Sequence, residues 1–253
     1  MKQICFLVSL PRSGNTVIGS ILNQNKNIVC TANSIVFELL HRINQTKNTD
    51  MFMNFPDYES IHNVSKKIIN NYYQDWKQKI IIDRSPATTP KNFEYYDYQN
   101  YKFIFLKRNL IEIVKSFINL SMQNKDQRPI KEIYEDIMNP NNILLNSVLA
   151  VSNGMKILNK KNYILLDYEN FINDPKKEIN KIYTFLNLKS FNHKFKNFNQ
   201  FSVNGLKYDD NIFNYFKNLH KINTKSITKN SYNIELPSFI IDFCRNFETE
   251  LII

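Results

Sequence analysis

The sequence predicts an α/β protein with a central, mainly parallel sheet covered by helices on both faces. Three observations lead there. Residues 3–9 (QICFLVS), 79–83 (KIIID), 102–106 (KFIFL) and 163–166 (YILL) are short, near-continuous apolar runs, the pattern of strands buried on both faces. Apolar residues at helical spacing follow these runs, so strands and helices alternate. The chain has 253 residues, enough for one ordinary α/β domain, and no repeat or linker divides it, so a single domain over 1–253 is expected.

Each element follows from its local pattern. The first run ends before Pro11, and Val17, Ile18, Ile21 and Leu22 then share one helical face. This N-terminus imitates a secretory signal, but it lacks a small-residue cleavage site and runs into Pro-Arg, so a buried first strand is the reading. Ile111, Val114 and Ile118 mark a helix after the strand at 102–106. Ile179, Ile182, Tyr183 and Leu186 mark another, started at Asp174-Pro175. Residues 191–225 are rich in Asn, Lys and Phe without clean periodicity, and read either as an irregular excursion over a site or as a peripheral packing segment. A last amphipathic helix spans roughly 237–251 after Leu236-Pro237. Ligands of such sheets bind beyond the carboxyl ends of the strands.

Composition narrows the function classes. The formal net charge is +10, but Asn (38), Ile (33) and Lys (27) crowd the chain while Ala appears three times and Gly four. A Lys-rich solvated surface therefore accounts for the charge as well as an anion site does, and no nucleic-acid-binding motif accompanies it. Against so much lysine, the arginines at 12, 42, 84, 108, 128 and 245 stand out, because Arg offers a bidentate fork. Cys5, Cys30 and Cys244 form no CxxC pair, which argues against a disulfide framework or a zinc site. No apolar run reaches 18 residues, so no membrane span is expected and the protein reads as soluble and cytoplasmic.

The loop after the first strand carries the first chemical signal. LVSLPRSGNTVIGSIL sets Arg12, Ser13, Gly14, Asn15 and Thr16 between a buried strand and a helix start. Backbone N–H groups and the helix dipole then converge on one point, which suits a phosphate or sulfate. The plain alternative is an ordinary turn with Thr16 as helix cap. G-x-x-x-x-G-K-[ST] is absent, and Arg12 precedes the glycine, which disfavours a metal-dependent kinase.

LPRSGNT resembles the 5′-phosphosulfate loop of the sulfotransferases that use 3′-phosphoadenosine 5′-phosphosulfate (PAPS), commonly P-[KR]-S-G-[TS]-T, with Asn15 in place of the commoner Thr or Ser. Three further segments resemble family elements in the same order. FIFLKRNLIEIVKSFINL has the strand-Arg-x₇-Ser-helix element, which implies that Arg108 and Ser116 grip the 3′-phosphate of the donor. IIDRSPATTP is similar to a Lys/Arg-x-Pro element after a central strand, which implies that Arg84 contacts the sulfonyl group, with a salt bridge to Asp83 as the bland alternative. ILLDYENFINDPKKEINKIYTFLNL resembles a signature that is mostly structural, in which Tyr168 either approaches the donor or simply packs. HKINTKSITKNSYNIELP resembles a closing basic loop, where Lys229 is a candidate phosphate contact.

The resemblance implies a three-layer fold like that of the P-loop nucleoside triphosphatases, nearest the tyrosylprotein and glycan sulfotransferase branches. It implies PAPS as co-substrate, no metal, and a glycan, peptide tyrosine, lipid or small alcohol as acceptor. Arg12 and the N–H groups of residues 13–16 would then neutralise the leaving 5′-phosphate, and Arg84 the sulfonyl oxygens. Relatives with a Glu base carry it about twenty residues past the loop, where Asn33 and Ser34 stand here; Glu38 is the candidate base, with a solvated helix Glu as its alternative. A nucleotide-binding protein without transfer activity, or a kinase-like phosphotransferase, are the competing readings.

Overall fold

The computed structural model describes residues 2–84, 93–139, 141–213, 216–229 and 232–251. Its strands are β1 (Gln3–Ser9), β2 (Ile28–Asn33), β3 (Ile80–Arg84), β4 (Lys102–Lys107) and β5 (Tyr163–Asp167). All pair in parallel, in the order β2-β3-β1-β4-β5. The central β1 is the strand from which the chain leaves to one edge and later resumes on the other side, so the loop after it sits at the topological switch point.

The period of two along β1 builds both halves of the core. Phe6 and Val8 face one layer with Phe103 and Phe105, and pack among Phe37, Val114 and Val148. Those three come from helices α2 (Val36–Gln45), α5 (Leu110–Gln123) and α7 (Ile143–Ile157), numbered in a series that includes α3 (Asp50–Asn54), α4 (Tyr58–Tyr72) and α6 (Ile130–Met138). Cys5, Leu7 and Ile104 face the other layer, against Ile18 and Ile21 of α1 (Asn15–Leu22), Phe171 of α8 (Tyr168–Asn173) and Ile182 of α9 (Pro175–Phe185). Burying each such side chain contributes about 1.5–3 kcal/mol, which explains why the apolar strand runs dominate the sequence pattern.

The four strands expected from those runs are present. β2 is an addition: Ile28, Val29 and Cys30 are buried, but the strand ends in polar Thr31 and Asn33, so its apolar run is too short to read as one. Its polar end is engaged, since Thr31 Oγ1 accepts the N–H of Arg84 at 2.9 Å. Asp174 caps α9 as its Asp-Pro pair predicts, accepting the Lys177 N–H at 3.0 Å. The last helix, α10, covers Ser238–Glu248, inside the expected span. Thr16 lies within α1, whose N-terminal cap position is Gly14 without a side-chain cap bond, so the capping alternative does not apply.

The excursion after α9 runs back over the strand ends. Phe198 N–H donates to Thr224 O (3.1 Å), and Gln200 exchanges hydrogen bonds with Ile222 at 2.6 and 3.2 Å, pairing two extended stretches. Among the described residues no helix is long and apolar enough to cross a membrane.

Candidate active site

Two backbone kinks shape the loop between β1 and α1. Arg12 has φ 58° and Gly14 φ 85°, both left-handed. At Gly14 a side chain is excluded twice, by φ and by space: an added Cβ would lie 2.2 Å from Cε2 of Tyr168. The loop is pinned at its base. Ser13 Oγ donates to Leu10 O (2.6 Å), and Asn15 Nδ2 donates to Ser9 Oγ (2.7 Å). The backbone N–H groups of Ser13 and Gly14 make no hydrogen bond among the described residues, and helix geometry leaves the first N–H groups of α1 without intrahelical acceptors.

Three arginines meet this loop from three strand ends. Arg84, at the end of β3, is 1% exposed; its Nη2 donates to Asn15 Oδ1 (3.0 Å) and Thr16 Oγ1 (3.2 Å). Its guanidinium lies against the rings of Phe201 (5.1 Å) and Tyr208 (5.9 Å), while Nε and Nη1 are buried without a hydrogen-bond partner. Arg108, past β4, is 5% exposed; Nη1 donates to Arg12 O (2.7 Å), the guanidinium sits 4.6 Å over the ring of Tyr168, and Nε has no partner. Arg12 Nε donates to Ser116 Oγ (3.1 Å), and its Nη1 donates to Leu219 O of the excursion. Burial, with the nearby Arg108 adding to it, holds the Arg12 pKa below its usual value. None of the three has a carboxylate within ion-pair distance among the described residues.

The Arg84–Asp83 salt bridge is not formed, for a simple reason: neighbouring strand residues point to opposite faces. Asp83 instead accepts from Ser34 Oγ (3.0 Å) and from the hydroxyl of Tyr73.

Nine of the sequence-derived candidates lie in or against this cluster: Arg12, Ser13, Gly14, Asn15, Thr16, Arg84, Arg108, Ser116 and Tyr168. Two do not. Glu38 is on the solvent side of α2, where helical spacing sets it beside Arg42 in an i,i+4 ion pair of 2.8 Å. Lys229 is exposed and has no hydrogen bond or ion pair among the described residues. Ser85 to Asn92, the remainder of the Arg84 motif, lie outside the described residues.

Sequence reasoning missed residues supplied by the closing loop and by the excursion before it. Tyr232 donates to Ser116 Oγ at 3.1 Å, so this hydroxyl is shared between a phenol and Arg12. His220 and Asp210 form a pair on the far side of Arg84. Asp210 Oδ1 is 2.6 Å from His220 Nδ1, and its Oδ2 accepts the His220 backbone N–H at 2.8 Å. The imidazole stacks on Tyr208 with centroids 3.6 Å apart and planes 6° apart. No motif spacing announces a pair made across an aperiodic loop; the only hint was the excursion's concentration of aromatic residues.

A family model described as the sulfotransferase domain matches residues 2–234. The chain is similar to a solved sulfotransferase domain from the curacin biosynthetic pathway, at 18% identity and TM-score 0.62, covering 100% of this chain and 98% of that one. It is similar to a sulfotransferase from Alicyclobacillus acidocaldarius, at 11% identity and TM-score 0.57, with 100% and 94% covered. It is also similar to the sulfotransferase domain of the Synechococcus PCC 7002 olefin synthase, at 18% identity and TM-score 0.56, with 98% and 96% covered. No curated protein sequence matches the chain. At such identities the structural likeness establishes the fold, and the family match across nearly the whole length establishes that this chain belongs to the sulfotransferase-domain family.

Proposed function

We propose that the protein moves a sulfonyl group from PAPS to a hydroxyl or amine acceptor, by in-line transfer that needs no metal. One observation carries this reading: Arg12, Arg84 and Arg108 converge with no carboxylate partner, and Arg84 and Arg108 keep buried N–H groups unbonded. A desolvated cation without a counter-charge costs several kcal/mol, so a fold that keeps three together is organised around an anion. A donor with two phosphate positions and a sulfonate matches three separated cations better than a single ion does.

The roles follow from placement. The open N–H groups of residues 13–16 suit the 5′-phosphate. Arg108 and Ser116 suit the 3′-phosphate, with Tyr168 supporting the guanidinium from below. Arg12 bridges the loop and Ser116, so it serves both phosphates. Arg84 offers Nε and Nη1 to the equatorial sulfonyl oxygens. The acceptor oxygen attacks sulfur, the bond from sulfur to the 5′-phosphate oxygen breaks, and the electron pair leaves on that phosphate. Positioning and charge stabilisation supply most of the acceleration, as in phosphoryl transfer.

The test is calorimetry with the desulfated donor, 3′-phosphoadenosine 5′-phosphate, beside its release from PAPS in the presence of a phenol, an alkanol, a sugar and a tyrosine peptide. Wild type should bind it and Arg108→Ala should bind much more weakly. Absence of binding by the wild type, or Mg²⁺-dependent ATP hydrolysis at a comparable rate, would sink the reading.

A further inference from the structure

We propose that His220, oriented by Asp210, is the catalytic base that takes the proton from the acceptor hydroxyl, a role that rests on the sulfonyl-transfer reading above. The carboxylate of Asp210 holds the residue at two points, the backbone N–H (2.8 Å) and Nδ1 (2.6 Å). With Nδ1 as donor to a carboxylate, the neutral ring carries its lone pair on Nε2. Nε2 has no hydrogen-bond partner among the described residues. Stacking on Tyr208 fixes the ring plane, and the other contacts of Tyr208 are Arg84, Phe201 and the Asn33 N–H.

Two links tie this nitrogen to the reacting centre. Arg84, the cation assigned to the sulfonyl oxygens, shares the Tyr208 ring with the imidazole. The residue before His220 is Leu219, whose carbonyl accepts from Arg12. The base and the donor loop are therefore held in one hydrogen-bonded unit. A purely structural His–Asp pair has no need of an open Nε2 beside two cations that themselves lack counter-charges.

The charges facing the ring support the direction of proton flow. Burial lowers the His220 pKa, Asp210 raises it, and Arg84 and Arg12 lower it again, with a net shift downward. The imidazole is therefore neutral near pH 7 and able to accept. Donor bound on the arginines offsets their repulsion, so the imidazolium forms with Asp210 beside it. In the step itself the acceptor O–H bond breaks as the oxygen–sulfur bond forms, the proton goes to Nε2, and the sulfur–oxygen electron pair leaves on the 5′-phosphate. The proton returns to water after product release.

The experiment uses the full chain, with turnover measured on whichever of the four probe acceptors named above reacts fastest. His220→Gln should lower kcat about 10²–10⁴-fold while leaving the affinity for desulfated donor near that of wild type. Wild type should show an acid limb with an apparent pKa below the ordinary histidine value of about 6.5, and His220→Gln should lack it. Imidazole NMR should show the Nδ1–H tautomer in wild type, and Asp210→Asn should lower kcat and shift that titration. The unaltered donor affinity separates loss of the base from loss of the fold. A His220→Gln variant with wild-type kcat and an intact acid limb overturns the proposal, as does a limb removed by Glu38→Gln instead. A wild type that binds no desulfated donor overturns the sulfonyl-transfer reading, and this one with it.

Discussion

Arg84, on the proposed reading, is a side chain placed for chemistry at the expense of stability. It is almost fully buried, has two donors without acceptors, and is held by two neutral hydrogen bonds and two aromatic rings. Each unsatisfied buried donor costs about 1–3 kcal/mol. Arg84→Met removes those donors and the charge at similar volume, so it should unfold at a higher temperature than wild type when no ligand is present. The same variant should lose about 10²–10³-fold in kcat, as expected when one transition-state stabiliser goes. Calorimetric scanning and turnover assays read the two effects separately, and a lower melting temperature would show that Arg84 is structural. Gly14 makes the opposite case. Gly14→Ala brings a methyl into the Tyr168 ring at a left-handed position, so it should destabilise by more than about 1 kcal/mol and abolish donor binding.

At the scale of elements, strand ends matter more than strand interiors. β1, β3 and β4 are interchangeable apolar runs in the core, but each delivers an arginine or the anion loop at its carboxyl end. Helix starts are fixed by short polar residues: Asn109 accepts the Glu112 N–H at 3.1 Å, and Asp174 does the same for Lys177. Asp174→Ala should cost about 1 kcal/mol in denaturant unfolding with little change in turnover, because α9 packs on the sheet away from the arginines. The start at Asp174 was readable because a cap and its helix are neighbours in sequence. β2 was not, since its apolar run is short and the strand turns polar at Thr31 and Asn33. Glu38 shows the limit of resemblance: it is a carboxylate a few residues past the slot where relatives carry a Glu base, while the phase of α2 turns it outward to Arg42.

For the whole molecule, three uncompensated guanidinia mean that the ligand-free fold is stabilised by whatever neutralises them. At a hundredfold excess over its dissociation constant, a ligand of the native state adds about 2.7 kcal/mol. For a chain of this size 1 kcal/mol moves the melting temperature by about 2–4 °C, so saturating desulfated donor should raise it by about 5–10 °C. High salt should reduce that rise through ionic competition, and adenosine, which lacks phosphate, should not produce it. The excursion takes part in the same unit, because Leu219 O accepts from Arg12 and Tyr208 packs on Arg84. Donor binding should accordingly slow hydrogen exchange in residues 198–224 as well as in the loop.

The sequence by itself determined the layers and the arginines at the strand ends. Continuous apolar runs and faces of period 3.6 dictate which surfaces must be buried, and short motifs such as PRSGNT and KRN set arginines at strand ends, because a residue's place on its own strand is a local property. Tertiary structure alone decided what the excursion brings to them. How Asp210, His220 and Tyr208 meet, and how they come to Arg84, depends on the aperiodic chain laid back over the sheet. No local period encodes such a path; it is set by the sum of its long-range contacts.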